Sequence, residues 1–244
     1  MTPDPFQHHP ELRALIHDPL ESYFRTFEPS EFDEVMKANN IPPDWRQPDA
    51  QREALRCQLL EGRRDEDLWI FAYGSLMWDP AIRFSEVRRA HAPNHVRRFI
   101  LKDNFGARGS PGRPGVMAAL DEGEGCDGLI FRIPKEIIEE ETIILWKRER
   151  IGPAYIETAI PVETDIGTLE AVTFVANHEA DNIHPDLCWE DQVQCCATGV
   201  GRRGSSFDYV ANLAGHFTAM GIDDPDVSAL LSAAQAYRDG LAAE

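Results

Sequence analysis

Apolar and polar positions fall into three textures along this 244-residue chain. Between Leu68 and about Asn177 the apolar residues come in short runs separated by Gly, Pro and Asp, the pattern of strands joined by tight turns. The runs predict strands at 68–75, 85–91, 95–102, 115–121, 126–133, 155–163 and 168–176. Their close spacing favours antiparallel or mixed pairing and a closed barrel. One segment of helical period interrupts them, from Pro134 to about Arg148. Pro134 suits its first turn, Glu136, Glu139 and Glu140 suit the positive end of the helix dipole, and Lys147, Arg148 and Arg150 suit the other end. After Trp189 the helical period returns, over about 189–197, 205–220 and 224–240.

Residues 1–67 differ from both. Glu11–Ile16, Glu21–Phe27 and Ser30–Met36 predict short helices, the last capped by Ser30, and Pro42-Pro43 breaks the pattern. Asp49–Glu61 then predicts a helix with Ala54, Leu55, Leu59 and Leu60 on its apolar side, ending at Gly62. The expected fold class is α+β. It comprises a mixed, largely antiparallel β-barrel of about six to seven strands with flanking helices (residues 68–244), preceded by a helical N-terminal extension (residues 1–67) that carries no evident chemistry.

Composition narrows the partners. The formal net charge is −18, and such a surface repels nucleic acid and anionic membranes. No run of about 18 apolar residues is present, so no membrane span is expected. The first ten residues are polar and lack the apolar core of a signal segment. The five cysteines, Cys57, Cys126, Cys188, Cys195 and Cys196, have no disulfide-framework spacing. Together these point to a cytoplasmic protein; oligomeric state has no signature in the chain.

Two features carry candidate chemistry. Ile138, Thr142, Leu145 and Glu149 are spaced by four, three and four residues, so they share one helix face. Glu149 therefore ends a core-facing stripe with a carboxylate, while Arg148 and Arg150 are expected to project elsewhere. Desolvation would raise its pKa and make it a proton acceptor near neutral pH; alternatively it fringes the helix end and pairs with an arginine. The second feature is Leu68-Trp69-Ile70-Phe71-Ala72-Tyr73-Gly74-Ser75-Leu76-Met77-Trp78, an apolar run that stops at Gly-Ser. Successive N–H groups after such a strand can cradle a carboxylate or oxyanion; the alternative is a plain turn. Ser75 lacks a Gly-x-Ser-x-Gly elbow, which argues against a nucleophile. Arg108 to Gly115 reads as a lid or as a solvated connection. His178, His184 and Cys188 match no standard zinc spacing, and Cys195-Cys196 reads as buried helix. No P-loop or Gly-x-Gly-x-x-Gly is present, so neither a metal nor a nucleotide cofactor is expected.

Several motifs in order resemble the ChaC-type γ-glutamylcyclotransferases, the glutathione-specific branch of the γ-glutamylcyclotransferase-like fold. Trp69 to Trp78 is similar to that family's Trp-Val-Phe-Gly-Tyr-Gly-Ser-Leu-Ile-Trp signature, with Ala72 in place of its first glycine. Arg97-Arg98-Phe99, Arg108-Gly109-Ser110-Pro111 with Pro114-Gly115, and Gly125-Cys126-Asp127-Gly128 with Phe131-Arg132 follow. Next come Arg148-Glu149, Gly152 and Tyr155, where Pro153 alters the family's Gly-Gly-Tyr spacing. Leu169-Glu170-Ala171 with Thr173-Phe174-Val175, then Gly201-Arg202, Gly204, Asp208-Tyr209 and Asn212, complete a match over roughly 68–240.

The resemblance implies that Glu149 is the catalytic acid/base. It also implies that Ile70, Phe71, Ala72, Tyr73, Gly74, Ser75 and Leu76, with Tyr155, bind a γ-glutamyl group. The implied activity is cleavage of glutathione to 5-oxoproline and Cys-Gly by attack of its α-amine on its own γ-amide. It requires a small-molecule substrate and no cofactor. Two alternatives remain at this point: cyclotransfer on other γ-glutamyl amines or dipeptides, and non-catalytic binding of γ-glutamyl peptides.

Overall fold

The computed structural model describes residues 4–42, 45–104 and 106–242; Pro43 of the expected Pro42-Pro43 break lies outside them. Among these residues seven strands form one sheet: β1 Leu68–Ala72, β2 Glu86–Ala92, β3 His95–Asp103, β4 Gly115–Glu122, β5 Cys126–Ile133, β6 Tyr155–Thr164 and β7 Gly167–Ala176. Their order is β1-β5-β2-β6-β7-β4-β3. A parallel contact of Ile70 with Val172 joins β1 back to β7 and closes β1, β5, β2, β6 and β7 into a five-stranded barrel. β4 continues from β7 through a parallel contact of Leu120 with Val175, and β3 pairs antiparallel with β4. The other ladders are antiparallel, as turn spacing predicts.

β1 reads as an unbroken apolar run because both its faces are covered. Ile70 and Ala72 join a large cluster shared with the helices, whereas Phe71 joins a smaller one drawn from the strands, with Leu120, Ile130 and Val162. The strand ends at Ala72, three residues earlier than expected, and the chain bends at Tyr73-Gly74 into a 3-10 turn, Ser75–Met77. Buried Arg97 fixes that bend: its Nε donates to Tyr73 O at 2.6 Å and its Nη2 to Asp127 O at 2.7 Å. Ala72 keeps an ordinary strand conformation, so the methyl that replaces the family glycine is unstrained.

Among the described residues six α-helices surround the sheet: α1 Asp33–Ala38, α2 Asp49–Leu59, α3 Ile138–Glu149, α4 Trp189–Thr198, α5 Ser206–Met220 and α6 Pro225–Ala242. α3 starts later than its apolar period suggests, because Lys135–Ile137 forms a 3-10 turn first, and it ends on Glu149. α5 is capped by Ser205, which accepts the Asp208 N–H at 2.9 Å, and stops at Gly221 in the left-handed region (φ 68°). A two-residue hairpin, β8 Val200–Gly201 and β9 Gly204–Ser205, precedes α5. Among the described residues no helix is long and apolar enough to cross a membrane.

The extension departs most from expectation. Glu11–Ile16 and Glu21–Phe27 are not α-helices but 3-10 turns at Pro10–Ala14, Pro19–Glu21 and Tyr23–Arg25. Each segment is too short to offset helix nucleation, and prolines at first positions set tight starts. Ser30 is not a cap: a 3-10 turn begins at Pro29, and the Glu31 carboxylate accepts the Glu28 N–H at 3.0 Å. α2 buries Arg52 and Arg56 rather than a purely apolar face. Arg56 bonds Thr142 Oγ1 at 2.7 Å and Glu139 at 2.8 Å, which fastens α2 to α3.

Candidate active site

The stripe on α3 behaves as its spacing requires. Ile138, Thr142 and Leu145 are buried, and Glu149 ends the row with a side chain only 14 % exposed. Burial pushes its carboxyl above the usual range, and the Arg148 guanidinium beside it pulls the other way without cancelling that effect.

Arg148 corrects the expectation that it projects away. Consecutive residues leave a helix in different directions, but at the last turn a long arginine can fold back. Its Nε lies 2.9 Å from Glu149 Oε1, its Nη2 donates to Ser75 Oγ at 2.7 Å, and its Nη1 donates to Asp79 O. One guanidinium thus ties the carboxylate to the Gly74-Ser75 bend. Arg150 does turn elsewhere, to Glu157 at 2.9 Å.

These groups open on a cavity of about 400 Å³, within the size range of small-molecule sites. Of the residues given a catalytic or binding role from sequence, Ser75, Glu149 and Tyr155 line it. Ile70, Phe71, Ala72 and Leu76 instead send their side chains into the core behind it, and the Tyr73 hydroxyl donates to Phe174 O at 2.8 Å. At the bend the first bond of the turn runs from Met77 N–H to Gly74 O at 2.9 Å. The amides of Ser75 and Leu76 precede it and have no partner within the turn.

Tyr155 donates to Ala118 O at 3.0 Å, so Pro153 does not keep it from the cavity. Tyr209, on α5, also lines the cavity. Its oxygen accepts the Ala118 N–H at 3.3 Å and approaches the bend so closely that a Cβ on Gly74 would lie 3.6 Å away. Burial holds both phenols above their ordinary range, so they stay neutral donors. Asp79 Oδ1 and Asn182 Oδ1 are buried without a hydrogen-bond partner among the described residues, and both residues line the cavity. Such orphaned acceptors fit a ligand that brings N–H groups.

The Arg108–Gly115 loop is braced. Asp103 accepts the N–H groups of Gly106 at 2.7 Å, Arg108 at 2.6 Å and Gly109 at 3.1 Å. Ser110 Oγ donates to Val200 O at 2.7 Å. The segment is a built wall, with Ala107 and Arg108 facing the cavity. His178 is engaged by Asp121 at 2.8 Å.

Sequence reasoning missed the opposite wall. Tyr23, Phe24, Phe27, Phe32 and Trp45 all come from the extension and line the same cavity. The Arg148 guanidinium lies 4.1 Å from the Phe24 ring centre. Gln47 N–H bonds Ile151 O at 2.9 Å, and the Trp45 ring packs where Gly152 leaves room. The only available signal was a density of aromatic residues too high for a solvated leader.

The family described as ChaC-like protein matches residues 68–237. A glutathione-specific γ-glutamylcyclotransferase of Escherichia coli K12 is 34 % identical over 183 residues, covering 74 % of this chain and 79 % of its own. Glutathione-specific γ-glutamylcyclotransferase 1 of Danio rerio is 27 % identical over 173 residues, covering 68 % and 88 %. Among solved structures, a selenomethionine-labelled γ-glutamyl cyclotransferase specific to glutathione from yeast superposes with a TM-score of 0.65 at 19 % identity, covering 71 % of this chain and 97 % of that one. That last likeness concerns the fold.

Proposed function

The chain belongs to the ChaC-like protein family, and on that premise we propose that it is a glutathione-specific γ-glutamylcyclotransferase, with Glu149 as its acid/base. The observation that carries this reading is a desolvated carboxylate, Glu149, joined through Arg148 to the Gly74-Ser75 bend within one cavity.

The reaction is an intramolecular aminolysis. The substrate α-nitrogen bonds to its own γ-carbonyl carbon, the bond from that carbon to the cysteine nitrogen breaks, and 5-oxoproline and Cys-Gly leave. Closing a five-membered ring needs the glutamyl chain held folded, and that restriction supplies much of the rate. The γ-glutamyl group sits against the bend, with its developing oxyanion facing the amides of Ser75 and Leu76 and the Tyr209 hydroxyl. The unpaired oxygen of Asp79 accepts from the α-ammonium before reaction. Glu149 takes a proton from the α-ammonium and returns it to the leaving nitrogen, and the second proton that the ring nitrogen sheds on closing follows it, so that Cys-Gly leaves with a protonated amine. A carboxyl raised by burial is suited to both steps, since its pKa moves toward working pH. Arg148 keeps the carboxylate aimed and limits how far its basicity rises.

Residues 68–244 serve as the catalytic domain in this reading, and the cytoplasm is its compartment. Incubation of the protein with reduced glutathione should release 5-oxoproline and Cys-Gly in equal amounts. Turnover of γ-glutamyl-alanine but not glutathione would transfer the activity to another γ-glutamyl substrate. Binding of glutathione without 5-oxoproline would overturn the enzymatic reading.

A further inference from the structure

The cavity has two ends of different chemistry. The inner end holds Glu149, Ser75 and the two tyrosines. The outer end is bordered by Arg202 and Arg203, on the turn of the β8–β9 hairpin, and by rings of the extension. Resting on the reaction proposed above, we propose that this outer end is a carboxylate subsite for the glycine end of the tripeptide, in which Arg202 and Arg203 bind the carboxylate and the extension holds them ready.

Three observations support it. First, the two arginines hold no ion pair among the described residues. The chain carries 42 acidic and 24 basic side chains other than histidine, and arginine–carboxylate pairs are frequent in it. Yet among the described residues neither Arg202 nor Arg203 has a carboxylate within ion-pair distance. The acidic side chain sharing their end of the cavity, Glu31, accepts from the Tyr23 hydroxyl at 2.7 Å and the Glu28 N–H at 3.0 Å, and Arg202 and Arg203 attract it only from beyond ion-pair distance.

Second, both guanidinium groups are placed. Arg203 lies 4.1 Å from the Tyr23 ring centre and 5.2 Å from that of Phe24, and Arg202 lies 5.4 Å from Phe32. Their backbone is fixed too, by bonds from Arg203 N–H to Ala107 O at 2.8 Å and from Arg202 N–H to Gly106 O at 3.2 Å. A planar guanidinium stacked on a ring keeps its donor edge free for a carboxylate and loses less freedom on binding it.

Third, the span fits. The Phe24 ring touches both Arg148, which contacts Glu149, and Arg203. The reacting end and the outer arginines are therefore separated by about one ring and two guanidinium groups. A three-residue peptide extends about 10 Å, the same scale. The rings lie outside residues 68–237, so the family core supplies the arginines and this chain's extension supplies their seat.

The test compares reduced glutathione with its C-terminal glycinamide, using full-length protein. The wild type should show a KM about tenfold higher for the amide with kcat nearly unchanged, the signature of lost uniform binding. R202Q/R203Q should raise the glutathione KM to the amide's value and leave the amide's own KM unmoved. Y23A/F32A should raise the glutathione KM in the same way, and Y23F/F32Y, which keeps the rings, should restore it. A wild type that treats the two substrates alike, or R202Q/R203Q that still prefers glutathione, would overturn the subsite. An unchanged KM in Y23A/F32A would remove the extension from it. Calorimetric binding of glutathione and its amide to E149Q, with and without R202Q/R203Q, gives the same comparison without turnover, so loss of the subsite is separable from loss of the activity itself.

Discussion

Replacing Glu149 by glutamine changes two atoms' chemistry and almost no volume. The side chain remains 14 % exposed at the end of α3, and the apolar stripe beneath it is untouched. What disappears is the capacity to take a proton. Positioned proton transfer contributes about 10²- to 10⁴-fold, which is roughly 3–5 kcal/mol of barrier. Turnover of glutathione should fall by about 100-fold or more, while KM changes little, because the bend, the tyrosines and the outer arginines are unaltered. Stability should move far less. The raised carboxyl pKa means that folding disfavours the charged form, and glutamine removes that cost. Against this, Arg148 loses its countercharge but keeps Ser75 Oγ, Asp79 O and the Phe24 ring. Opposite contributions at one site predict an unfolding free energy within about 1 kcal/mol of wild type. The assay is single-substrate kinetics of 5-oxoproline release, paired with urea unfolding of the same preparations. E149Q with turnover within tenfold of wild type would refute the assignment. A large loss of both turnover and stability would show that Glu149 serves the fold rather than the chemistry.

The remaining predictions test its surroundings. The wild-type kcat/KM should rise with pH along an acid limb that lies above 4.5, the ordinary glutamate value; because Arg148 lowers the Glu149 pKa, R148Q should move that limb to still higher pH, and an unmoved limb would detach Arg148 from the acid/base group. The native state holds the extra proton between 4.5 and the raised value, so stability should fall as pH rises through that window, and E149Q should flatten the fall in urea titrations across pH. Glu141 is fully buried and accepts from Arg83 N–H at 2.8 Å, Arg83 Nε and Arg25 Nη1; both arginines also pair with Glu140, so E141A should cost about 1–3 kcal/mol, chiefly by leaving the Arg83 N–H without its acceptor, and an unchanged unfolding free energy in denaturant would contradict this. A Cβ on Gly109 would lie 1.7 Å from Asp103 O and 2.4 Å from Gly115 N; G109A should therefore displace the loop wall and give little soluble protein, whereas native-like melting would show that the loop is not braced as described.

The barrel was legible because its strands are buried on both sides and their turns carry glycine: Gly167, at φ 108°, closes the β6–β7 hairpin where only such a residue is comfortable. Closure itself was not, since it depends on a parallel contact between Ile70 and Val172, about a hundred residues apart, and no local pattern encodes that. The burial of Glu149 was one of two readings that helical spacing left open, an arginine partner at the helix end being the other. That both hold together was not legible, because periodicity describes where a side chain leaves the helix and says nothing of a long arginine folding back over the helix end. Arg52 and Arg56 misled for a related reason: a charged residue reads as solvated until its countercharge, here Glu139 and the Thr142 hydroxyl for Arg56, is seen opposite. The aromatic residues of the extension were visible in the sequence; that they face a cavity shared with residues about thirty or more positions later was not.

That misplaced expectation bears on the chemistry. Glu149 is useful as a base only if desolvation outweighs the attraction of the guanidinium 2.9 Å away. Open to water, Arg148 and Glu149 would form an ordinary ion pair, and the carboxyl would sit in its usual range. The Phe24 ring covers one face of Arg148, and Trp45 and Phe27 line the same side of the cavity. The extension therefore adds apolar cover beside the pair, on the side of desolvation in that contest. A barrel with the same bend, the same arginine and the same glutamate, but no such cover, would hold the catalytic atoms in place and leave the glutamate a weaker base.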